Sequence, residues 1–362
     1  MGSAECGIVA NVLIPHSSLR TSHLKRRANR GPIANLWRVD LLTPTLPVMH
    51  ALHVVALQPL ALIFSALGSE PFYLFLLPLI YWLIDRRIGA QLGILLLFSV
   101  LVNDLAKAAL FLPRPYWVDP SLTPLSHIGL EKSFGFPSGH AQGAFLVWPF
   151  LARRFGRSSR WLLAAYALAS CIALSRLVLG VHWPLDVVGG ALIGSLILWI
   201  FEARGAAMER RLSRTSRERL ILTATLSVLM LGLLGALFLA NATRVVSPPS
   251  DAIRMTSEMQ AVFEVNDRAL AEASTSLVGR CGALLGLLVG LIYAPRDAPI
   301  RRSFVRVLVG FAGVALLYFG LSKAGHAWLP LGFVRYFLTT FWVACGAPLL
   351  FERLEGRASV RG

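Results

Sequence analysis

The sequence predicts an all-α fold: a polytopic transmembrane helical bundle, with six helices in the front part of the chain and about four extra helices toward the C-terminus. Three observations predict it. Of the 362 residues, 56% are hydrophobic and 15% charged, with a mean hydropathy of +0.64. Soluble domains carry about 25% charged residues, so this chain has more apolar surface than one soluble core would hide. The apolar residues also come in runs near the ~20 positions that cross a bilayer. Finally, most of the 35 Lys and Arg, which are set against 19 Asp and Glu for a net charge of +16, collect in alternate gaps between those runs. In a soluble chain that excess would suggest nucleic acid. Distributed in this way it fits loops facing anionic lipid, so the expected partner is a membrane and no nucleic acid.

The elements follow in order. Residues 1–47 form a basic tail expected to be poorly ordered. Its short apolar run, Ile8 to Ile14, precedes the cluster Lys25-Arg26-Arg27, the reverse of the order in a signal peptide. A start at Met49, where the apolar pattern begins, is conceivable. Candidate spans lie at about 49–67, 71–84, 88–111, 140–154, 160–179, 184–202, 219–241, 277–294, 303–322 and 332–351. Two of them, 71–84 and 140–154, are short and need tilt or an extension into their flanks. The chain then divides into a tail, a six-helix core at 48–204, a basic cytoplasmic linker at 205–218 and a four-helix extension at 219–362.

Charge orients the bundle. If the first span runs outward, Arg86-Arg87, Arg153-Arg154, Arg210-Arg211, Arg301-Arg302 and both termini face the cytoplasm, as in a multi-pass protein of a bacterial cytoplasmic membrane. The outer gap 244–276 holds an amphipathic stretch, Met255 to Ala271, expected as an interfacial helix in preference to a substrate lid. Arg280, Arg306 and Arg335 lie inside span ends and are expected to snorkel to the surface. Cys6, Cys171, Cys281 and Cys345 follow no metal-binding spacing and read as buried thiols.

Three polar clusters fall at outer ends of spans: Lys107 with Arg114-Pro115, then Pro137-Ser138-Gly139-His140, then Ser175-Arg176 with His182 and Asp186. Ionisable groups at a membrane boundary are costly, so function is their default explanation. Lys107, Arg114 and Arg176 supply three positive charges, and arginine grips two phosphate oxygens at once. Ser138 and Gly139 sit where a helix begins, and free backbone N–H groups there suit an anion. Pro184 suits the first helical position, which places Asp186 in the first turn within reach of the His182 ring. A carboxylate fixing one ring nitrogen leaves the other free to attack phosphorus, and His140 remains to protonate the leaving alcohol or phosphate.

In order and spacing, K-x6-R-P, P-S-G-H and S-R-x5-H-x3-D resemble the three-part signature of the type 2 phosphatidic acid phosphatase superfamily. That superfamily includes lipid phosphate phosphatases, undecaprenyl pyrophosphate phosphatases and soluble vanadium haloperoxidases. Every signature position is filled, and the match covers about residues 50–204. The resemblance implies a phosphohistidine on His182, Asp186 as its orienting partner and His140 as general acid. It implies that Lys107, Arg114, Ser138, Gly139 and Arg176 hold the phosphate, on a six-helix core with no metal ion or other cofactor. The rear block departs from the minimal core.

Neighbouring residues carry weaker expectations. Asn103 and Asp104 lie a turn before Lys107, and Asp104 is expected to pair with Lys107 or with another helix. Glu70 is either a helix cap or a pocket residue. Tyr116 and Trp117 read as interfacial anchors that could flank a lipid entrance. Gly189, Gly190 and Gly194 are expected to let helices approach. His50, His53, His127 and His326 have no partner at a useful spacing. The expected activity is hydrolysis of a lipid phosphomonoester or pyrophosphate entering sideways from the bilayer, with undecaprenyl pyrophosphate among the candidates. A phosphotransferase acting on another lipid or sugar, and an anionic-lipid transporter or receptor, are the alternatives. The lipid tail, the oligomeric state and the role of 219–362 are left open.

Overall fold

Inside a bilayer a backbone amide has no water to bond, so a spanning segment must satisfy its own hydrogen bonds. The computed structural model describes residues 42–125, 131–246, 257–295, 304–321 and 329–359, and among them the regular structure is helical. The helices are α1 (Leu46–Leu52), α2 (Gln58–Ala66), α3 (Glu70–Leu79), α4 (Arg86–Leu110), the short α5 (Pro115–Val118), α6 (Gly139–Phe155), α7 (Ser159–Val178) and α8 (Pro184–Ser213). Then come α9 (Arg217–Val246), α10 (Ser257–Tyr293), α11 (Phe304–Gly320), α12 (Leu329–Phe341) and α13 (Ala347–Ser359). Among the described residues seven stretches are long and apolar enough to cross a membrane, and α11 is a shorter apolar helix.

Each predicted span coincides with helix, but the boundaries differ. The predicted spans 49–67 and 71–84 are built from short helices, and only Val55–Ile84 taken together reaches spanning length. The chain leaves helical geometry at His53 and Val54, so α1 and α2 do not run on as one helix, and Pro59 sits in the first turn of α2, where a missing amide is tolerated. The basic run 205–218 is largely helical. It continues α8 to Ser213, and α9 begins at Arg217. The stretch expected as an interfacial helix is the start of α10, a 37-residue helix continuous with the span that follows. The tail up to residue 41, including Cys6, lies outside the described residues, as do His127 and His326.

α6 is the centre of the front part and packs against α4, α7 and α8. The α6–α8 contact depends on glycine. A Cβ on Gly190 would sit 2.4 Å from the Ser138 carbonyl oxygen, and one on Gly194 would sit 2.2 Å from that of Gln142. The backbones therefore approach too closely for any side chain, as expected from the sequence. Gly194→Ala is expected to cost about 1–3 kcal/mol, because even one methyl must push α8 off α6. A lower thermal unfolding midpoint in detergent would show it.

Helix polarity brings the signature to one end of the bundle. α4 ends at Lys107–Leu110 and α7 ends at Arg176–Val178, while α6 and α8 begin with Gly139 and Pro184. Arg154 and Glu202 pair at 3.1 Å toward the opposite end, as do Arg87 and Glu209 at 2.6 Å.

α10 packs along α4, α9 and α12, joining the rear helices to the front ones. Polar contacts reinforce this junction. Arg280 on α10 meets Asp104 on α4 at 3.0 Å and Glu70 on α3 at 3.7 Å. Of the two expected partners for Asp104, this is the other helix. Arg306 is 2% exposed and lies over the Phe351 ring, and Arg335 lies over Tyr318 and Tyr336. The expectation that these three arginines snorkel is therefore corrected. They turn into the bundle, where a carboxylate or an aromatic face replaces the interfacial water. Cys281 and Cys345 are buried, but Cys171 is exposed on the flank of α7, against expectation. His50 and His53 do have partners: His50 meets Asp119 at 3.1 Å and His53 meets the Val178 carbonyl at 3.1 Å.

Candidate active site

Each signature residue is positioned by a helix end. α4 stops at Phe111, whose left-handed backbone returns its amide to the Lys107 carbonyl at 2.8 Å. The turn leaves Lys107 in the last turn and throws Arg114 back toward the bundle axis. Ser138 caps α6, and its amide donates to the Asp186 carbonyl at 2.9 Å, tying the second cluster to the third. Beyond α7 the chain reverses at Gly180, where φ is +71° and a Cβ would meet the Leu122 carbonyl at 2.2 Å. Glycine is required there on both counts. The reversal delivers His182 to the mouth of α8, where the Asp186 carboxylate accepts from the Trp183 amide at 2.9 Å.

The dyad is formed and buried. His182 Nδ1 lies 3.2 Å from Asp186 Oδ2, with both side chains 0% exposed. His182 Nε2 lies 3.2 Å from Arg114 Nη1. A guanidinium can only donate, so Nε2 is the acceptor and Nδ1 carries the proton, which it donates to Asp186. The lone pair of Nε2 thus points into the cationic cluster.

Arg114 is fully buried and its hydrogen bonds are almost all spoken for. It donates through Nε to the Ser133 carbonyl at 2.6 Å and through Nη1 to the Val181 carbonyl at 2.9 Å. Lys107 Nζ donates to Ser133 Oγ at 2.9 Å and to the Phe134 carbonyl at 2.8 Å. Arg176 donates to Ser65 on α2. Asn103 does not reach the cations. It donates to the Pro137 carbonyl at 3.1 Å and to Gln142 at 2.9 Å, and so braces the Pro137–His140 turn. Glu70 follows the Ser69 cap of α3 and lines the adjoining cavity. Trp117 stacks edge-on with Phe134 and Tyr116.

The sequence reading missed Glu131. Its carboxylate stands between the two arginines, Oε2 at 2.6 Å from Arg114 and Oε1 at 2.5 Å from Arg176. The same carboxylate lies 3.4 Å from His140 Nδ1 and 3.8 Å from His182 Nε2. Tyr116 holds it there by donating to the Glu131 carbonyl at 2.5 Å. Burial alone would raise the Glu131 pKa, but Arg114 and Arg176 outweigh it and hold the carboxyl well below its usual range. Glu131 is thus ionised at neutral pH, and only strong acid would loosen its contacts. A charge count offered a signal: Glu131 is the acid nearest the second motif, in a loop that must lie beside three cations.

Such a site, in a bundle of membrane-spanning helices, pairs an oriented imidazole with a cationic anion cradle. Two family models match the chain: the PAP2 superfamily at residues 88–209, and the PAP2 superfamily phosphatase transmembrane extension at residues 278–359. Phosphatidylglycerophosphatase B of Bacillus subtilis (strain 168) is 32% identical over 154 residues, covering 38% of this chain and 70% of that protein. The chain belongs to the PAP2 superfamily. Sphingosine-1-phosphate phosphatase 2 of Homo sapiens is 34% identical over 143 residues, covering 37% of this chain. The chain spans 38% and 34% of the lengths of the mouse and human forms of that protein. The solved structure of the first transmembrane PAP2 type phosphatidylglycerolphosphate phosphatase from Bacillus subtilis is 24% identical, covering 47% of this chain and 86% of that one, with a TM-score of 0.35.

Proposed function

We propose that this protein is a metal-independent lipid phosphatase that works through a phosphohistidine on His182. One observation carries the reading: a single carboxylate, Glu131, touches Arg114 and Arg176 and lies within 3.4 Å of His140 and 3.8 Å of His182. A phosphoryl group in that place would meet the same four side chains.

In this mechanism the phosphate displaces Glu131 and takes its two arginines, with Lys107 and the backbone at Ser138 and Gly139 completing the cradle. His182 Nε2 attacks phosphorus as the bond to the lipid oxygen breaks, and His140 gives that oxygen a proton. Asp186 stabilises the positive charge that forms on the His182 ring. Water, deprotonated by His140, then attacks the phosphorus of the N–P bond. Inorganic phosphate leaves and both histidines are restored. The catalytic core is residues 48–204, and residues 219–362 form an extension. The cationic runs favour both termini in the cytoplasm and the site at the outer face of the cytoplasmic membrane.

The relatives' names span sphingosine phosphates, phosphatidylglycerophosphate and undecaprenyl diphosphate. Of these classes, recycling of undecaprenyl pyrophosphate suits a site facing outward. The test is phosphate release by purified protein in detergent with EDTA, across these lipid phosphates and phosphatidic acid. Release from at least one supports the reading. No release from any overturns it.

Glu131→Gln separates the resident carboxylate from the phosphate. Removing the charge leaves Arg114 and Arg176 without their anion, so the unfolding midpoint should fall in phosphate-free buffer. Added phosphate no longer competes with Glu131, so it should raise the midpoint more in the variant than in the parent. Equal phosphate responses would show that Glu131 does not occupy the anion position.

A further inference from the structure

We infer that the cavity between the front helices and the C-terminal extension is a binding site for the hydrocarbon chain of the substrate, making a single long-chain lipid phosphate the ligand class. This rests on the phosphatase reading for the headgroup, but not for the chain. The cavity has a volume of about 840 Å³, within the range of small-molecule sites. At one end it is lined by Lys107, Glu131, His140 and Arg176 of the candidate active site. From there it continues between α3 and α4 on one side and α10 and α12 on the other.

Its walls change character along that path. Below the cations they carry Leu77, Gly93, Leu97, Ala283 and Leu287, and they reach Gly89 at the far end of α4. Lys107 and Gly89 are eighteen positions apart on one helix, about 27 Å at 1.5 Å per residue. That approaches the ~30 Å thickness of a bilayer's hydrocarbon core. A slot polar at one end and mostly apolar along this length fits an amphiphile with one chain lying along the bilayer normal. Near the cationic end, the buried Tyr73 hydroxyl lines the slot and has no hydrogen-bond partner among the described residues. It is a ready donor to an oxygen linking headgroup and chain.

Most of the rear wall comes from residues 278–359, the region matched as the transmembrane extension, with Glu272, Ala273 and Ser276 of α10 beside it. Gly93 leaves the slot open at Leu287, since a Cβ there would come within 3.2 Å of the leucine side chain. The Arg280 contacts to Asp104 and Glu70 fasten that wall to the front helices beside the headgroup end. The extension thereby supplies the half of the lipid site that the front helices lack.

Two measurements on the full-length protein test it. The first is photolabelling with hexadecyl phosphate carrying a diazirine at the chain end. Adducts on α10 and α12 around Leu287, Thr340 and Val343 support the site. Adducts confined to outward-facing α9 side chains such as Leu229 and Leu233 overturn it. The second is Leu287→Trp, which should raise KM for hexadecyl phosphate about 10-fold and leave that for phenyl phosphate unchanged. An equal change for both, or none for the long chain, overturns the proposal. If no substrate is hydrolysed but the adducts still map to the slot, the phosphatase reading fails and the chain site stands. If lipid phosphates are hydrolysed but the adducts fall only on α9, the chain site fails and the phosphatase reading stands.

Discussion

Replacing His182 with alanine is expected to lower phosphate release by about 10⁴-fold or more, since it removes the proposed nucleophile. Among the described residues no other side chain is placed to substitute. His140 faces the same carboxylate at 3.4 Å, but its contact is Glu131, an acid in the anion position, whereas His182 has Asp186 behind it. The loss should be chemical and not structural. The ring is held through Asp186 and Arg114, and Arg114 keeps its bonds to the Val181 and Ser133 carbonyls when the ring is gone. Phosphate binding should therefore change little. Parent enzyme quenched in alkaline SDS, which preserves the acid-labile N–P bond, should carry phosphate on His182 and the variant should carry none. A variant retaining a tenth of the parent rate would exclude His182 as nucleophile.

Asp186→Asn is the second large effect, expected at about 10²–10⁴-fold in turnover. Both bonds to Asp186, from Trp183 N–H at 2.9 Å and from the His182 ring at 3.2 Å, end on Oδ2, while Oδ1 is buried without a partner among the described residues. An asparagine carbonyl can accept both bonds with its amide nitrogen in the place of Oδ1. Geometry and fold are then largely kept, and what disappears is the negative charge that stabilises a positively charged His182 ring. Turnover should fall with little change in KM. Asp186→Ala differs, because it also leaves the buried Trp183 amide unsatisfied at about 1–3 kcal/mol. Measuring kcat, KM and unfolding midpoint for both variants separates charge from scaffold. Wild-type turnover in Asp186→Asn would remove Asp186 from the chemistry.

How much of this was legible depended on the range of the interaction. The His182–Asp186 contact spans one helical turn and Pro184 marks where that turn begins, so local rules sufficed. The glycine contact of α8 on α6 was likewise written in small residues at helical spacing. Glu131 was not, because it carries no motif and its importance arises from two arginines 17 and 45 residues away in sequence. The Asp104–Arg280 pair joins helices that only tertiary packing brings together. Arg306 and Arg335 looked like snorkelling residues because a hydropathy pattern gives depth in the membrane and not direction around the helix.

By itself the sequence determined the membrane class, the positions of the helices and which end of each carries a charge, since hydropathy and helix-end chemistry act within about one turn or one span. Tertiary structure alone decided which charges meet. It set a carboxylate between Arg114 and Arg176, turned the rear arginines inward and left a slot between α4 and α10. Those outcomes follow from how rigid helices rotate and close on one another, and side chains far apart in sequence have no local rule that announces their distance in space.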